Sequence, residues 1–315
     1  MKYRKLGKTE LMVSPICIGG WQLAGPLAFD GKPDGHPDPG KDNVLRLIGE
    51  LADRGVNCID TAEQYGNGES ERRIGEAIRG KRDKWIISSK FGYRVAPDGS
   101  RDNDSSPPTI LPSLEGSLKR LQTDMIDIYL YHCAPKIEDL DKGREILEQA
   151  KKSGKIRYYG ISSPNLELIK ALHDHALLDV LQYPASLLEP KPDIADFVSK
   201  HNIGTQLRGT MAQSRLSGKY FHRTVQWRND DNRSQKFRDT DYQQYASFEK
   251  AIPAGMTMAQ VAIRWTLDNP AHHTICMGAK NLTDYEVAIQ AAEMPNLRSE
   301  TTAQLEERAD QLGSN

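Results

Sequence analysis

Short apolar runs of about four to six residues recur along this 315-residue chain, and longer amphipathic segments separate them. That alternation constrains the fold more than any other feature. A strand buried on both faces reads as a continuous apolar run, and parallel strands need a crossover, usually a helix, between them. Eight such runs fall at 16–19, 58–61, 85–90, 126–131, 158–161, 180–183, 204–207 and 274–277. Between the first two, Val44, Leu45, Ile48, Leu51 and Ala52 share one helical face ahead of Gly55, a C-cap residue. Similar faces occur at 70–78, 109–121, 140–151, 166–175, 194–201 and 258–268. No repeat or linker divides the chain, so one domain over 1–315 is expected. Its predicted architecture is an α/β, (β/α)8 TIM barrel, with a hairpin turning at Gly7-Lys8 to plug the floor and an extra C-terminal helix.

The chain carries 42 basic and 43 acidic residues, a net charge of −1, so no summed field favours nucleic acid or an anionic membrane. Small molecules are the expected partners. The opening residues lack the apolar core of a secretion signal, and no stretch approaches the roughly 20 apolar residues of a membrane span. A cytoplasmic protein is the expectation. Cys17, Cys58, Cys133 and Cys276 lie far apart in apolar, strand-like runs and read as reduced core thiols rather than disulfides or a zinc site; no metal is expected.

In a parallel barrel, side chains at the C-terminal strand tips face the mouth, where chemistry is done. Three connections there are long, at 22–40, 92–108 and 221–242, and are rich in Gly, Pro or charge. Asp60, Lys90 and His132 end the second, third and fourth runs, and Tyr65 follows Asp60 by five residues. Singly, Asp60 reads as a helix cap, Lys90 as a solvated charge and His132 as a core histidine. At successive strand ends the joint chemical reading prevails. A tyrosine supplies the proton that carbonyl reduction needs on oxygen, and a nearby ammonium lowers the cost of ionising it. In that reading Lys90 tunes Tyr65, Asp60 keeps Lys90 charged, and His132 orients the substrate oxygen.

The segments DTAEQYGNGESERRIGEAI, WIISSKFG, SLKRLQTDMIDIYLYH and GKIRYYGISSPN closely resemble, in that order, the aldo-keto reductases. The likeness runs from KYRKLGKTELMVSPICIGGW to MGAKNLTDYE. It implies an oxidoreductase acting on an aldehyde, ketone or sugar carbonyl, with the family's tetrad on Asp60, Tyr65, Lys90 and His132. It also implies a nicotinamide dinucleotide extended across the mouth without a Rossmann unit. The resemblance puts Gly20 and Trp21 beside that cofactor, and Ser162, Ser163 and Gln182 at the nicotinamide carboxamide. Arg208 stands where the family usually stacks an aromatic ring on the nicotinamide, followed by Gly209 and Met211; a guanidinium there either stacks or meets an acidic substrate group. Lys219 falls in the loop that crosses the pyrophosphate. Gly278, Lys280 and Asp284 fall at the adenosine end, where Lys280 argues for the 2′-phosphate of NADP(H) and Asp284 for the ribose diol of NAD(H). NADP(H) is favoured. Trp21, Tyr93 and Arg94 are the expected substrate walls, and the 222–238 segment with Trp227 reads as a cover over the cofactor. Two other readings of the resemblance are a redox-sensing regulatory subunit with vestigial catalysis and a redox-neutral lyase or epimerase that retains its nicotinamide.

Overall fold

The computed structural model describes residues 1–313. All eight expected runs form parallel strands: β1 Ile16–Gly19, β2 Cys58–Asp60, β3 Ile86–Phe91, β4 Ile126–Tyr131, β5 Ile156–Ser162, β6 Val180–Pro184, β7 Gly204–Arg208 and β8 Thr274–Met277. They pair in chain order, and β8 pairs with β1, which closes the barrel. Strand ends differ from the expected bounds by one or two residues because pairing with a neighbour, rather than apolarity, decides where each strand stops.

Helices α1 Lys41–Asp53, α2 Glu69–Ala77, α3 Pro107–Leu121, α4 Leu140–Lys152, α5 Leu166–Asp174, α6 Pro192–Lys200 and α7 Met258–Asp268 fill the predicted amphipathic segments. They are followed by α8 Leu282–Glu293 and the extra C-terminal helix α9 Ser299–Gly313. The main core lies between this helical layer and the outer faces of the strands, where Val44, Leu47, Ile48 and Leu51 of α1 pack with Ile18 and Ile59. Among the described residues no helix is long and apolar enough to cross a membrane, and all four cysteines are free thiols.

The N-terminal hairpin pairs Arg4–Lys5 with Met12–Val13. Its Leu6, Leu11 and Val13 share an apolar cluster with Cys17, Cys58, Ile86, Ile128, Leu130 and Val180. Gly7 takes φ +54°, and a Cβ there would come within 2.3 Å of the Gly204 nitrogen, so a larger residue would push the hairpin off β7.

Two of the three long mouth connections are more regular than loops. Ala28–Phe29 pairs with Lys32–Pro33, and Tyr93–Val95 pairs with Arg101–Asn103. The first turn is Asp30-Gly31 with φ of 50° and 72°, positive at both positions as a tight hairpin turn demands. The third connection contains one short helical turn, Arg233–Lys236.

Candidate active site

Alternation along each strand builds the site. Cys58 on β2, Ile86 on β3, Ile128 and Leu130 on β4, and Val180 on β6 share the inner cluster. One or two steps of two residues from these positions towards the mouth reach Asp60, Lys90, His132 and Gln182. The inward positions are thus apolar at the floor and polar at the rim.

Tyr65 arrives by a different route. After it, Gly66, Asn67 and Gly68 all take positive φ, at 58°, 51° and 82°. Three such residues in a row turn the chain sharply into α2, and Gly and Asn tolerate that backbone best. A Cβ on Gly66 would meet the Ala24 carbonyl at 2.6 Å, so the turn also sits tight against the first mouth connection. Glu63 anchors the same loop. Its backbone N–H donates to the Lys90 carbonyl at 3.2 Å, and its Oε1 accepts from the Gly92 N–H at 2.9 Å. Burial pushes the Glu63 carboxyl above its ordinary value.

The four expected side chains come together. Lys90 is fully buried, and its Nζ donates to Asp60 Oδ1 at 2.6 Å, the Thr61 carbonyl at 2.8 Å and Tyr65 Oη at 3.3 Å. Burial alone would lower the Lys90 pKa, but Asp60 and Tyr65 outweigh it and hold the pKa above its ordinary value. For Tyr65, burial pushes the phenol up while the Lys90 charge pulls it back, and burial wins. Lys90 therefore offsets the desolvation of Tyr65 without making it an acid stronger than a free phenol.

The His132 ring meets the Tyr65 ring edge-on, with centroids 5.7 Å apart, and lies 4.9 Å from the Tyr93 ring. Among the described residues its enclosed Nδ1 has no hydrogen-bond partner. Enclosure, then the charges of Lys90, Arg208 and Arg101, drive its pKa well below the ordinary value, so the imidazole is neutral at pH 7. On the other side, Trp21 stacks on Tyr65 at 6.3 Å. Trp21, Tyr65, His132 and Tyr93 thus form an aromatic wall at the mouth.

The remaining sequence candidates fall into two groups. Ser162 and Gln182 adjoin the tetrad: Gln182 Nε2 donates to Asp60 Oδ1 at 2.8 Å, and Ser162 Oγ donates to Gln182 Oε1 at 3.0 Å. Ser163 N–H donates to the Gln182 carbonyl at 2.9 Å. Gly20 N–H donates to the Asp60 carbonyl at 2.7 Å, and a Cβ there would meet Ser70 Oγ at 2.6 Å. Arg208 ends β7 exposed, followed by Gly209 at φ +73° and half-buried Met211.

Farther along, Lys219 and Asp284 pair with each other at 2.5 Å, and Lys280 Nζ donates to the Pro37 carbonyl at 2.9 Å. Gly278 packs against the Gln22 side chain, which a Cβ would meet at 2.5 Å. Arg94, expected as a substrate wall, pairs with Asp102 of its own hairpin at 3.3 Å and with Asp104 just beyond it at 3.7 Å.

Arg101 was not singled out by the sequence, although it faces the mouth. Its guanidinium lies 5.3 Å from the Tyr93 ring and pairs with Asp34 at 2.6 Å, while Gln64 Nε2 donates to the other Asp34 oxygen at 2.7 Å. The only local signal was two charged residues inside hairpins, too common to single out.

A half-buried phenol, a buried ammonium and carboxylate, and a neutral imidazole thus meet at the C-terminal rim of an eight-stranded barrel. The family model described as "Aldo/keto reductase family" matches residues 15–310. The uncharacterized oxidoreductase YqkF of Bacillus subtilis is 29% identical over 323 residues, covering 99% of this chain and 97% of that protein. Among solved structures, the glycerol dehydrogenase AKR11B4 from Gluconobacter oxydans superposes with a TM-score of 0.85 at 26% identity, covering 100% of this chain and 97% of that one. The holo form of aldo-keto reductase AKR11C1 from Bacillus halodurans gives 0.81 at 26%, covering 98% and 96%. The chain belongs to the aldo/keto reductase family, and it is an oxidoreductase that acts on a carbonyl/alcohol pair.

Proposed function

We propose that this protein reduces the carbonyl of an aldehyde, ketone or sugar with NADPH, using Tyr65 as the proton donor. The observation that carries the reading is the Lys90 ammonium bonded to both Asp60 and Tyr65. When bound, the reduced nicotinamide supplies the hydride for the carbonyl carbon. Tyr65 donates a proton to the oxygen as charge builds there, and Lys90 stabilises the phenolate that forms. Asp60 keeps Lys90 charged within a fully buried site. Neutral His132 holds the substrate oxygen in line with Tyr65, and the aromatic wall excludes water.

The residues at the mouth fit the dinucleotide. Ser162, Ser163 and Gln182 offer amide and hydroxyl groups beside the tetrad, and Gly20 and Trp21 border the same opening. Buried Thr210 Oγ1, between Gly209 and Met211, lacks a partner among the described residues and is available to a ligand. Lys219, Gly278, Lys280 and Asp284 continue towards the adenosine end. Asp284 accepts from both Lys219 and Asn281, which offsets the carboxylate charge that would repel a 2′-phosphate. That neutralisation favours NADP(H) over NAD(H), and NADPH should therefore bind more tightly than NADH in a fluorescence titration. The complete tetrad favours turnover over a purely sensing role.

Replacing Tyr65 by Phe keeps the ring and removes the proton. Turnover with a reactive aldehyde should fall by on the order of 10² to 10⁴, with NADPH affinity nearly intact. An unchanged rate would remove Tyr65 from the reaction.

A further inference from the structure

The alternation that brings Asp60 and Lys90 inward does the same for Arg208. Two residues before it on β7, buried Gln206 accepts from Ser88 Oγ at 3.0 Å and reaches Cys58 Sγ at 3.9 Å, both from inward-facing positions. Arg208 has the same parity and is exposed at the rim. The tip of β7 shares this rim with the tips of β2, β3 and β4, and the Arg208 charge acts there on Tyr65, His132 and Tyr93.

Three other cations near these rings are each paired with a carboxylate at close range. Lys90 has Asp60 at 2.6 Å, Arg101 has Asp34 at 2.6 Å, and Arg94 has Asp102 at 3.3 Å. Among the described residues, no carboxylate pairs with Arg208 and no hydrogen bond holds its guanidinium. The carboxylates nearest the reacting groups are already committed, since Asp60 serves Lys90 and Gln182 while Asp34 serves Arg101 and Gln64. Arg208 therefore stands as an unpaired cation beside a neutral imidazole. A guanidinium fork recognises a carboxylate or phosphate through two parallel hydrogen bonds, and that anion would complete the charge balance.

We infer that Arg208 determines substrate specificity by binding a carboxylate or phosphate on the substrate, so that the site takes carbonyl compounds bearing an anionic group. The inference rests on the reading above that Tyr65 and His132 face the substrate carbonyl. A neutral aldehyde is turned over by the same machinery but leaves Arg208 without its partner.

The test uses matched substrates with the full-length enzyme and NADPH: glycolaldehyde phosphate against glycolaldehyde, and 4-oxobutanoate against butanal. The two pairs separate a phosphate preference from a carboxylate preference. The wild type should prefer the charged member of at least one pair. Arg208→Met should lower kcat/KM for that member by on the order of 10- to 100-fold. The neutral member and the NADPH dissociation constant should stay within about twofold, a change worth only ~0.4 kcal/mol, and Arg208→Lys should recover part of the loss. Equal losses on charged and neutral members, weakened NADPH binding, or no preference in the wild type would overturn the inference, because Arg208 would then serve the cofactor or nothing.

A binding experiment keeps this inference separate from the reading beneath it. If no aldehyde is turned over, the carbonyl reading fails, yet calorimetric titration of the NADP-loaded protein with 2-phosphoglycolate and with glutarate still reports on the anion site. Binding that Arg208→Met abolishes supports the site; binding equal in the two proteins, or absent from both, refutes it.

Discussion

At Lys90 the cost of burying a charge is met by geometry: three oxygen atoms within 3.3 Å receive its Nζ protons, and the first belongs to Asp60. Removing either partner leaves the other charged and enclosed, which typically costs about 3 to 5 kcal/mol. Lys90→Met should therefore lose both activity and stability in urea unfolding, while the double variant with Asp60→Asn should recover part of the stability and none of the activity. His132 makes a pH prediction. Its imidazole is held well below the ordinary histidine value by enclosure and by three nearby cations, so it stays neutral through the range near 6.5 where a free histidine protonates. The pH profile of kcat/KM should accordingly show no acid limb near 6.5; a limb there that vanished in His132→Gln would mean that the ring is solvated and titrates freely. Both residues were legible as strand-end chemistry. The direction of the Tyr65 shift was not, because desolvation depends on how much of the surrounding wall closes over the phenol.

At the scale of elements, the two mouth hairpins are joined through Asp34, which receives Arg101 from the second hairpin and Gln64 from the Tyr65 loop. Trp21 Nε1 donates to the carbonyl of the same residue at 2.9 Å. Through its carboxylate and its backbone carbonyl, Asp34 thus ties the first mouth connection to the tyrosine loop and to the aromatic wall. Arg101→Met should loosen that wall and raise the substrate KM roughly tenfold, the size of one lost charge-assisted hydrogen bond, with kcat changed less. Another element-scale constraint explains the glycine of GISSPN. A Cβ on Gly160 would come within 1.8 Å of the Val180 carbonyl, so β5 and β6 could not keep their register beneath Ser162 and Gln182. Gly160→Ala should cost at least about 1 to 3 kcal/mol in denaturant unfolding, as overpacking does. Here the motif could be read from the sequence, whereas the crowding that requires it becomes visible only once the strands are paired.

For the whole molecule, acid should act through the floor of the barrel as well as its mouth. Burial lowers the pKa values of His272 and His273 to about 4, and His273 Nε2 accepts from the Gly7 N–H of the N-terminal hairpin at 3.2 Å. Protonating His273 would turn that acceptor into a donor facing another donor. Because the unfolded chain takes up these protons near pH 6.5, their contribution is fully present above that pH, declines as pH falls towards about 4, and then levels off. Unfolding free energy should drop by about a few kcal/mol over that range, and His272→Gln with His273→Gln should flatten the dependence in denaturant titrations at pH 7, 5.5 and 4. The sequence by itself determined the eight strands and the strand-end positions of Asp60, Lys90 and His132, since side-chain period acts between near neighbours. Only the tertiary structure decided which charges are paired: Arg94 with its hairpin acids, Arg101 with Asp34, Lys219 with Asp284, and Arg208, among the described residues, with none. Arg101 and Asp34 are 67 positions apart and Lys219 and Asp284 65, and the Arg94 pairs depend on how its hairpin closes, so no local pattern encodes those distances.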